Sequence, residues 1–238
     1  MAQLEVYFAE TQDFDLDQGV VYLHDWEAHH LMHVRRARTG EVIIVIDGKG
    51  GAWSATVYEF QPDRVSARLL QAYKRWREPP LRIYLGLGVL KGDRFTQAIE
   101  QAVQMGASEI VPLLTQYVVA SWSATRSERA WRIALAAAKQ TGRGLIPPVL
   151  EAQPLHQWCI EKGNCDHKLL LVPEGKSFPE VQNEENVALA IGCEGGFSRE
   201  EERWMIGKGF IPVSLGPRRL RSETAVAVAL SRILADLE

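Results

Sequence analysis

The sequence predicts an α/β protein in which a small β-rich N-terminal part precedes a parallel sheet covered by helices on both faces. Up to about residue 70, short runs of β-branched residues are separated by tight turns, a pattern typical of a small barrel. Lys74 to Pro80 (KRWREPP) then ends this pattern, because two successive prolines continue neither a strand ladder nor a helix. Beyond this segment, apolar strands alternate with helices, which indicates a parallel sheet.

Three strands and one helix are predicted in the N-terminal part. Glu41 to Asp47 (EVIIVID) is rich in β-branched residues and is followed by the glycine-rich turn Gly48 to Gly51. Trp53 to Phe60 alternates as the returning strand of a hairpin would, and Val65 to Leu70 is a third strand. Trp26 to Arg36 has helical spacing and carries a cluster of histidines and arginines. We therefore expect a β-rich domain over residues 1–73.

Five strands and four helices are predicted in the C-terminal part, residues 80–238. The strands are Leu81 to Leu87, Glu109 to Leu114, Leu169 to Val172, Val187 to Ile191 and Pro212 to Leu215. The helices are Arg94 to Met105, Glu128 to Thr141, Glu200 to Gly207 and Glu223 to Leu237, and the first two are ended by Gly106 and Gly142. This alternation predicts a second domain built on a parallel sheet.

Composition narrows the class of protein. Of the 238 residues, 46% are hydrophobic and 24% are charged, as in ordinary globular proteins. The three cysteines form no CxxC pair, which argues against a disulfide framework and a structural zinc site. For the same reason we expect no metal. We also expect no membrane partner, since Met1 to Glu10 has no secretory pattern and no apolar run is long enough for a membrane helix. These features favour a cytoplasmic protein.

Charge gives no indication of a nucleic-acid partner by itself. The net charge is −3, so a protein of this composition that binds RNA must concentrate its cations locally. His29, His30, His33, Arg35, Arg36 and Arg38 form such a local cluster. These side chains could contact RNA phosphates, or they could form a solvated helix face.

Three glycine-bearing loops follow the last three predicted strands. They are Leu171 to Gly175 (LVPEG), Ile191 to Ser198 (IGCEGGFS) and Leu215 to Ala225 (LGPRRLRSETA). Ligands of open α/β sheets bind outside the carboxyl ends of the strands, so these loops predict one pocket for a small molecule.

Each loop also has a simpler interpretation. Gly195 and Gly196 precede an S-x-x-E capping box, Ser198 to Glu201, and could form an ordinary turn before a helix. Ser222 could cap the last helix. Arg218, Arg219 and Arg221 favour a functional loop, because clustered guanidinium groups suit phosphate binding or stabilisation of a developing anion.

Other catalytic motifs are absent from the sequence. It contains no GxxxxGK[ST] loop, no HExxH and no GxSxG. Gly86 and Gly88 follow a strand, but Gly92 comes one position too late for GxGxxG. A dinucleotide-binding fold and a hydrolase are therefore not supported.

The last two loops resemble motifs of the 16S ribosomal RNA uridine-N3 methyltransferases, a family of the knotted SPOUT class. Its motifs read IGPEGG-[FL]-S and LGPR-x-LR-[TS]-ET-[AT]. Leu90 to Arg94, Glu128 to Trp131, and Lys139 to Arg143 with Pro147-Pro148 are similar to upstream segments of the same family, and His30, Val34, Arg36, Gly40 and Asp47-Gly48 are similar to its RNA-binding module. Cys193 replaces the usual proline, Ser222 stands where threonine is common, and Gln104 and His33 replace a usual glutamate and arginine.

The resemblance implies a fold and an activity. The fold is a PUA-like β-barrel over residues 1–73, followed by a SPOUT domain over 80–238 with a C-terminal trefoil knot. The activity is methylation of N3 of a uridine in 16S ribosomal RNA of the small ribosomal subunit, with S-adenosyl-L-methionine as cofactor and a homodimer as the assembly. Two alternatives stay open: a knotted methyltransferase acting on a ribose 2′-hydroxyl or on transfer RNA, and a non-catalytic RNA-binding protein with the same fold.

The resemblance also implies roles for single residues. The cofactor would be bound by Leu171, Val172, Pro173, Gly192, Glu194, Gly195, Gly196, Leu215, Leu220, Arg221, Ser222, Thr224 and Ala225, with backbone groups of Leu215 and Leu220 bonding the adenine. RNA would be bound by His30, Arg35, Arg36 and Arg38. We expect Arg221 to stabilise the charge that develops on the uracil ring, with Glu223 or a water molecule as proton acceptor. Glu223 could instead complement the helix dipole from the first turn.

Overall fold

A computed structural model describes residues 5–235 and 237, and it divides into two compact units. The first unit runs as far as Glu78 and also includes Ala138–Ile146. The second unit consists of Pro79–Ala137 and the chain from Pro147 onward. The domain bounds expected from the sequence, 1–73 and 80–238, stay a prediction about which parts fold independently.

The first unit is a six-stranded sheet that curls into a PUA-like half-barrel. Its strands are β1 (Val6–Phe8), β2 (Phe14–Asp15), β3 (Val20–His24), β4 (Val42–Ile46), β5 (Ala52–Phe60) and β6 (Arg64–Tyr73), in the order β1-β4-β5-β6-β3-β2. Only the pairing of β1 with β4 is parallel. The three predicted strands are confirmed as β4, β5 and β6, whereas the sequence patterns did not reveal β1, β2 and β3.

One helical segment connects β3 to β4. It consists of α1 (Asp25–His29) and a π-helical turn (His30–Val34), which together confirm the predicted helix. Ala28 and Leu31 point into the core formed by the inward residues of the sheet, such as Val45, Val57 and Val65. The remaining side chains of the segment are therefore free to face away from the core.

The second unit is a six-stranded, entirely parallel sheet with helices. The strands are β7 (Arg82–Gly88), β8 (Glu109–Leu114), β9 (Gln153–Pro154), β10 (His167–Lys176), β11 (Asn186–Ile191) and β12 (Ile211–Val213), in the order β12-β10-β11-β7-β8-β9. The helices are α2 (Arg94–Gln104), α3 (Ala124–Thr141), α4 (Leu155–Glu161), α5 (Arg199–Gly207) and α6 (Ser222–Leu234), and the end of α3 belongs to the first unit. The predicted strands and helices are confirmed, except that the last helix ends at Leu234 and not at Leu237, and Asp236 of its predicted range lies outside the described residues. The elements α4 and β9 were not foreseen.

The strand order brings three chain segments together at one edge of the sheet. Because β10 lies between β12 and β11 and all three run parallel, their carboxyl ends are neighbours. Leu171 and Lys176 both pair with Val213, so the residues between them bulge out of β10 at this edge. The segment predicted as the first loop is thus an irregular part of a strand. The trefoil knot stays a prediction.

Among the described residues, no helix is long and apolar enough to cross a membrane.

Candidate functional site

A cavity of about 710 Å³ lies where β10, β11 and β12 end. It is lined by Arg94, Leu171, Val172, Pro173, Ile191, Gly192, Cys193, Glu194, Gly195, Gly196, Phe197, Glu202, Ser214, Leu215, Gly216, Pro217, Arg218, Arg219, Leu220, Arg221, Ser222 and Ala225. The three segments predicted to form one pocket are therefore brought together. We call residues 171–175 the first loop and residues 191–198 the second loop. The third loop is residues 214–222, which start one residue before the predicted segment Leu215 to Ala225 and end where α6 begins.

Hydrogen bonds from the third loop hold the other two in place. The Ser214 hydroxyl donates to the carbonyl oxygen of Pro173 at 2.9 Å, which ties the third loop to the first. The Ser222 hydroxyl donates to the carbonyl oxygen of Gly192 at 3.1 Å, and Arg219 Nη2 donates to that of Glu194 at 2.9 Å. The cavity wall is thus cross-linked through side-chain to backbone bonds, which fix its shape before any ligand binds.

Glu194 anchors the second loop from its other side. Its Oε1 accepts hydrogen bonds from the backbone N–H of Lys91 at 3.2 Å and from Arg94 Nη1 at 3.4 Å. Lys91 lies just before α2 and Arg94 is its first residue, and both belong to the segment Leu90 to Arg94 that resembles the family's first methyltransferase segment. The carboxylate of Glu194 therefore positions the loop, and its backbone carbonyl oxygen accepts the hydrogen bond from Arg219.

Three glycines of the second loop, Gly192, Gly195 and Gly196, leave backbone atoms uncovered in the wall of the cavity. A Cβ atom on Gly192 would lie 2.8 Å from the carbonyl carbon of Gly196, so the loop folds back on itself more closely than any larger residue permits. A Cβ atom on Gly195 would lie 2.8 Å from that of Tyr117. At these glycines a ligand can consequently approach the backbone atoms of the loop closely.

The charged groups around the cavity are mainly cationic. Four arginines line it, Arg94, Arg218, Arg219 and Arg221, against two glutamates, Glu194 and Glu202. Burial raises the pKa of the Glu202 carboxyl, with Arg199 acting in the opposite direction and the carboxylates of Glu174 and Glu201 adding to the rise. The cavity is therefore suited to a ligand or substrate that carries, or develops, negative charge.

The capping box before α5 is confirmed. The Ser198 hydroxyl accepts from the Glu201 N–H at 3.2 Å, and Glu201 Oε2 accepts from the Ser198 N–H at 2.8 Å. The second loop is thus both the turn before a capped helix and a wall of the cavity. The idea that Ser222 caps the last helix is wrong, because Arg221 occupies the N-cap position and the Ser222 hydroxyl is bonded to Gly192 instead.

Of the residues expected to bind the cofactor, all except Thr224 line the cavity. Thr224 is exposed on the first turn of α6. Glu223, expected to act in catalysis, also lies outside the lining, with 6% exposure and no hydrogen-bond partner for Oε2 among the described residues. Helix geometry explains the difference, because successive residues at the start of α6 point in different directions. The functional roles of all these residues stay predictions.

The residues expected to bind RNA lie in the first unit. Arg35, Arg36 and Arg38 are exposed, and Arg35 is paired with Glu5 at 3.0 Å and Glu41 at 3.1 Å. His30 is turned inward, with its ring 5.9 Å from that of Tyr7 and its Nδ1 atom buried. Within the described ranges, no group of three or more metal-ligating side chains could hold an ion.

Several lining residues were not identified from the sequence. Arg94 ends the segment Leu90 to Arg94, which resembles a segment of the family. Cys193, Phe197 and Ser214 lie within or next to the loops, so the loop boundaries alone could have indicated them. The sequence could not indicate Glu202 as a lining residue, because it is one of three consecutive glutamates. Only the rotation of α5 about its axis decides which of them faces the cavity.

Known proteins agree with this architecture. Residues 77–234 match a family described as RNA methyltransferase domain, and residues 25–70 match a family described as RNA methyltransferase PUA domain. The ribosomal RNA small subunit methyltransferase E of Synechocystis sp. is 34% identical over 93% of this chain and 75% of its own length. The chain belongs to the ribosomal RNA small subunit methyltransferase E family.

Other members of the methyltransferase E family are similar over nearly the whole chain. The Mycobacterium bovis member is 32% identical, with 91% of this chain and 87% of its own covered. The crystal structure of the Neisseria gonorrhoeae member, bound to S-adenosyl methionine, superposes with a TM-score of 0.88 at 28% identity over 98% of both chains. The PUA-like half-barrel and the parallel sheet are therefore the family fold.

Proposed function

We propose that this protein transfers a methyl group from S-adenosyl-L-methionine to N3 of a uridine in 16S ribosomal RNA of the small ribosomal subunit. The observation that carries the proposal is the cavity formed by three cross-linked loops in a chain of the methyltransferase E family. Uridine N3 as the acceptor atom rests on the resemblance of the second and third loops to the uridine-N3 enzymes.

The cavity fits the cofactor in size and in chemistry. Small-molecule sites have volumes of about 300–1,000 Å³ and are mostly apolar with a few polar groups, and this cavity of about 710 Å³ agrees with both features. The apolar side chains of Leu171, Leu215 and Leu220 suit an adenine ring, and the glycine backbone of the second loop offers polar groups at close range. When bound there, S-adenosyl-L-methionine supplies an electrophilic methyl group on a positively charged sulfur.

The side chains of this chain would act on the uracil ring. N3 carries a weakly acidic proton and is occupied in ordinary base pairs, so the base must be unpaired before it enters the site. As the proton leaves N3, negative charge spreads onto the two flanking carbonyl oxygens. Arg221 belongs to the third loop and lines the cavity. Its guanidinium stabilises this charge in the manner of an oxyanion hole.

Glu223 is our candidate for the group that accepts the proton. Its Oε2 is buried without a hydrogen-bond partner in the described structure, and a buried acceptor of this kind is stabilised by a hydrogen bond from a proton donor. Since Glu223 does not line the cavity, the start of α6 must shift, or a water molecule must carry the proton between N3 and the carboxylate.

The test is transfer of a labelled methyl group from S-adenosyl-L-methionine to small ribosomal subunits prepared from cells that lack the endogenous activity. Nucleoside analysis should then identify N3-methyluridine. Arg221→Lys should lower turnover by about 100-fold, since one preorganised donor commonly contributes this much, while RNA binding stays the same. Arg203→Lys, a change on the exposed face of α5, is the matched control and should leave turnover unchanged.

Two outcomes would contradict the proposal. Full turnover in Arg221→Lys would remove Arg221 from the mechanism. Cofactor binding without methyl transfer to the subunit would remove the subunit as substrate, and transfer RNA and a non-catalytic RNA-binding role would then be the readings to test.

We further infer a cytoplasmic homodimer. Ribosomal subunits as substrate support the location. Tyr117, which is 47% exposed, lies directly beside Gly195 of the second loop, and Val119, two residues further along the chain, is 77% exposed. This apolar surface supports a protein contact near the second loop. Sedimentation equilibrium should give twice the mass of one chain, and Val119→Asp should shift the protein towards the monomer.

A further inference from the structure

A row of aromatic rings lies exposed on the first unit. Trp26 is 65% exposed, although tryptophan is among the side chains that gain most from burial. Its ring is stacked on that of His29, with centroids 5.7 Å apart and an interplanar angle of 19°. The ring of His29 in turn lies 4.8 Å from that of His33. We call these three side chains the aromatic row.

The helical segment explains why the row faces solvent. Positions 26, 29 and 33 are spaced as i, i+3 and i+7, which places them along one face. The opposite face is fixed in the first unit by the buried side chains of Ala28 and Leu31. The row is therefore displayed on a rigid support, and the hydrophobic core does not need it.

Cations lie at the end of the same segment. Arg36 and Arg38 are exposed and, among the described residues, form no ion pair, whereas Arg35 is bound to Glu5 and Glu41. Two acidic residues flank the row. Glu27 is buried and paired with Lys139 of the same unit, and Asp25 is exposed beside Trp26. The charged side chains that follow His33 and form no ion pair in the described structure, those of Arg36 and Arg38, are consequently positive.

We propose that the aromatic row is a stacking platform for an unpaired base of RNA, with Arg36 and Arg38 contacting the flanking phosphates. Exposed aromatic rings next to guanidinium groups that form no ion pair fit single-stranded RNA, whose bases can be splayed out and stacked on such side chains. Duplex RNA offers no free base face and is bound mostly through its backbone and shape. The proposal rests on the proposed function for the class of partner and adds that the first unit binds an unpaired segment through a base.

Binding of a single-stranded RNA of about 12 nucleotides, compared with its duplex, tests the platform. Trp26→Ala should weaken binding of the single strand by roughly 5- to 150-fold, since stacking of one base contributes about 1–3 kcal/mol. Binding of the duplex should change less than twofold. Trp26→Phe keeps a flat ring and should retain most of the affinity. Leu70→Ala, which removes another exposed apolar side chain of the first unit, is the matched control and should bind as the unaltered protein does.

Abasic substitutions make the test specific for stacking. When nucleotides of the single strand are replaced one at a time by abasic residues, the unaltered protein should lose affinity at one or a few positions. Trp26→Ala should show no further loss at these positions, because the platform is already absent.

Several results would overturn the proposal. Unchanged single-strand binding in Trp26→Ala, an equal loss on the duplex, or an equal loss in Leu70→Ala would each do so. A change in sedimentation coefficient of Trp26→Ala without RNA would assign the row to a contact with a second copy of the chain instead.

Methyl transfer measured on the same proteins separates this proposal from the proposed function. If the unaltered protein methylates the subunit and Trp26→Ala binds single strands normally, only the platform fails. If no RNA is methylated and Trp26→Ala still weakens single-strand binding, the platform stands and the proposed reaction fails.

Discussion

Ser222 joins the third loop to the second through the bond from its hydroxyl to Gly192. Ser222→Ala removes this bond and leaves a carbonyl oxygen unpaired, so we expect the affinity for S-adenosyl-L-methionine to fall by about fivefold, as for the loss of about 1 kcal/mol. Isothermal titration measures the change. Ser222→Thr keeps the hydroxyl and should keep the affinity. An equal loss in both variants would show that packing, not the hydrogen bond, matters at this position.

Glu202 makes the stability of the protein depend on pH. Burial raises the pKa of its carboxyl in the folded state, so the folded chain binds this proton more tightly than the unfolded chain does. Its contribution to stability is fully present below the unfolded pKa and is lost as the pH rises through the raised folded pKa.

Glu202→Gln removes this dependence, and its Tm should therefore exceed that of the unaltered protein by more at pH 7 than at pH 4. Thermal unfolding at the two pH values measures the difference. The exposed Glu200→Gln in the same helix is the matched control for the substitution itself. A gain for Glu202→Gln that is the same at both pH values would contradict the role of its ionisation.

Single residues were predictable from the sequence where their partners are close in the chain. Ser198 and Glu201 form their capping box within four residues, and the S-x-x-E pattern was sufficient to predict it. Ser222 has its partner thirty residues away, so the local pattern suggested a cap that the structure does not contain. Glu202, Glu223 and Thr224 depend on helix rotation within a tertiary structure, which no short motif encodes.

The bulge in β10 depends on a close approach between two strands. Gly175 packs so tightly against β12 that a Cβ atom would lie 2.3 Å from the carbonyl carbon of Val213. Gly175→Ala must therefore push β12 away, which should lower the free energy of unfolding by about 1–3 kcal/mol and weaken cofactor binding.

Chemical denaturation and titration of the cofactor measure the two effects of Gly175→Ala. The control is Gly207→Ala at the end of α5, where a Cβ atom would meet nothing within 4 Å. This change should leave stability the same or raise it by a few tenths of a kcal/mol, because alanine has the higher helix propensity. Equal stability of the two variants would contradict the strain assigned to Gly175.

Elements were predictable where their local pattern is long and regular. The apolar runs of β4, β7, β8 and β11 and the spacing of α2 and α3 were sufficient. Short elements were missed. β1 has three residues and is held by its pairing of Val6 with Ile44, and α4 is a seven-residue helix that starts directly after Pro154. Such elements owe their conformation to distant partners more than to their own sequence.

At the scale of the whole molecule, a buried ion pair holds Ala138–Ile146 in the first unit. Arg143 and Glu78 are 3% and 9% exposed at their side chains, and Glu78 Oε1 also accepts from the Leu145 N–H at 3.0 Å. Glu78→Gln removes the negative charge beside a buried guanidinium, which should lower the free energy of unfolding by about 3 kcal/mol. Urea denaturation measures the loss.

Glu128→Gln is the matched control for Glu78→Gln. It removes the exposed pair with Arg132, 3.6 Å long, and should change stability by less than about 0.5 kcal/mol. Comparable losses in the two variants would contradict a special contribution from the buried pair.

The division of the chain followed from KRWREPP only in part. The prolines mark the change from the curled sheet to the parallel sheet, and Glu78 and Pro79 stand on either side of the observed boundary. The return of residues 138–146 to the first unit had no sequence signal, because it depends on the pairing of Arg143 with a residue 65 positions earlier. The order of the parallel strands could not be predicted from the sequence either, since each strand alone fits any position in such a sheet.

That strand order has a consequence for synthesis of the chain. Leu85 of β7 pairs with Leu189 of β11, about a hundred residues further on, so at roughly 5–20 residues per second β7 waits on the order of 5–20 s for this partner. During this interval the apolar strand β7 has β8 on one side and an open edge on the other, and an open edge of this kind pairs readily with foreign strands. A chain whose translation stops before Asn186 keeps that edge permanently, and we expect it to aggregate although its first unit is complete.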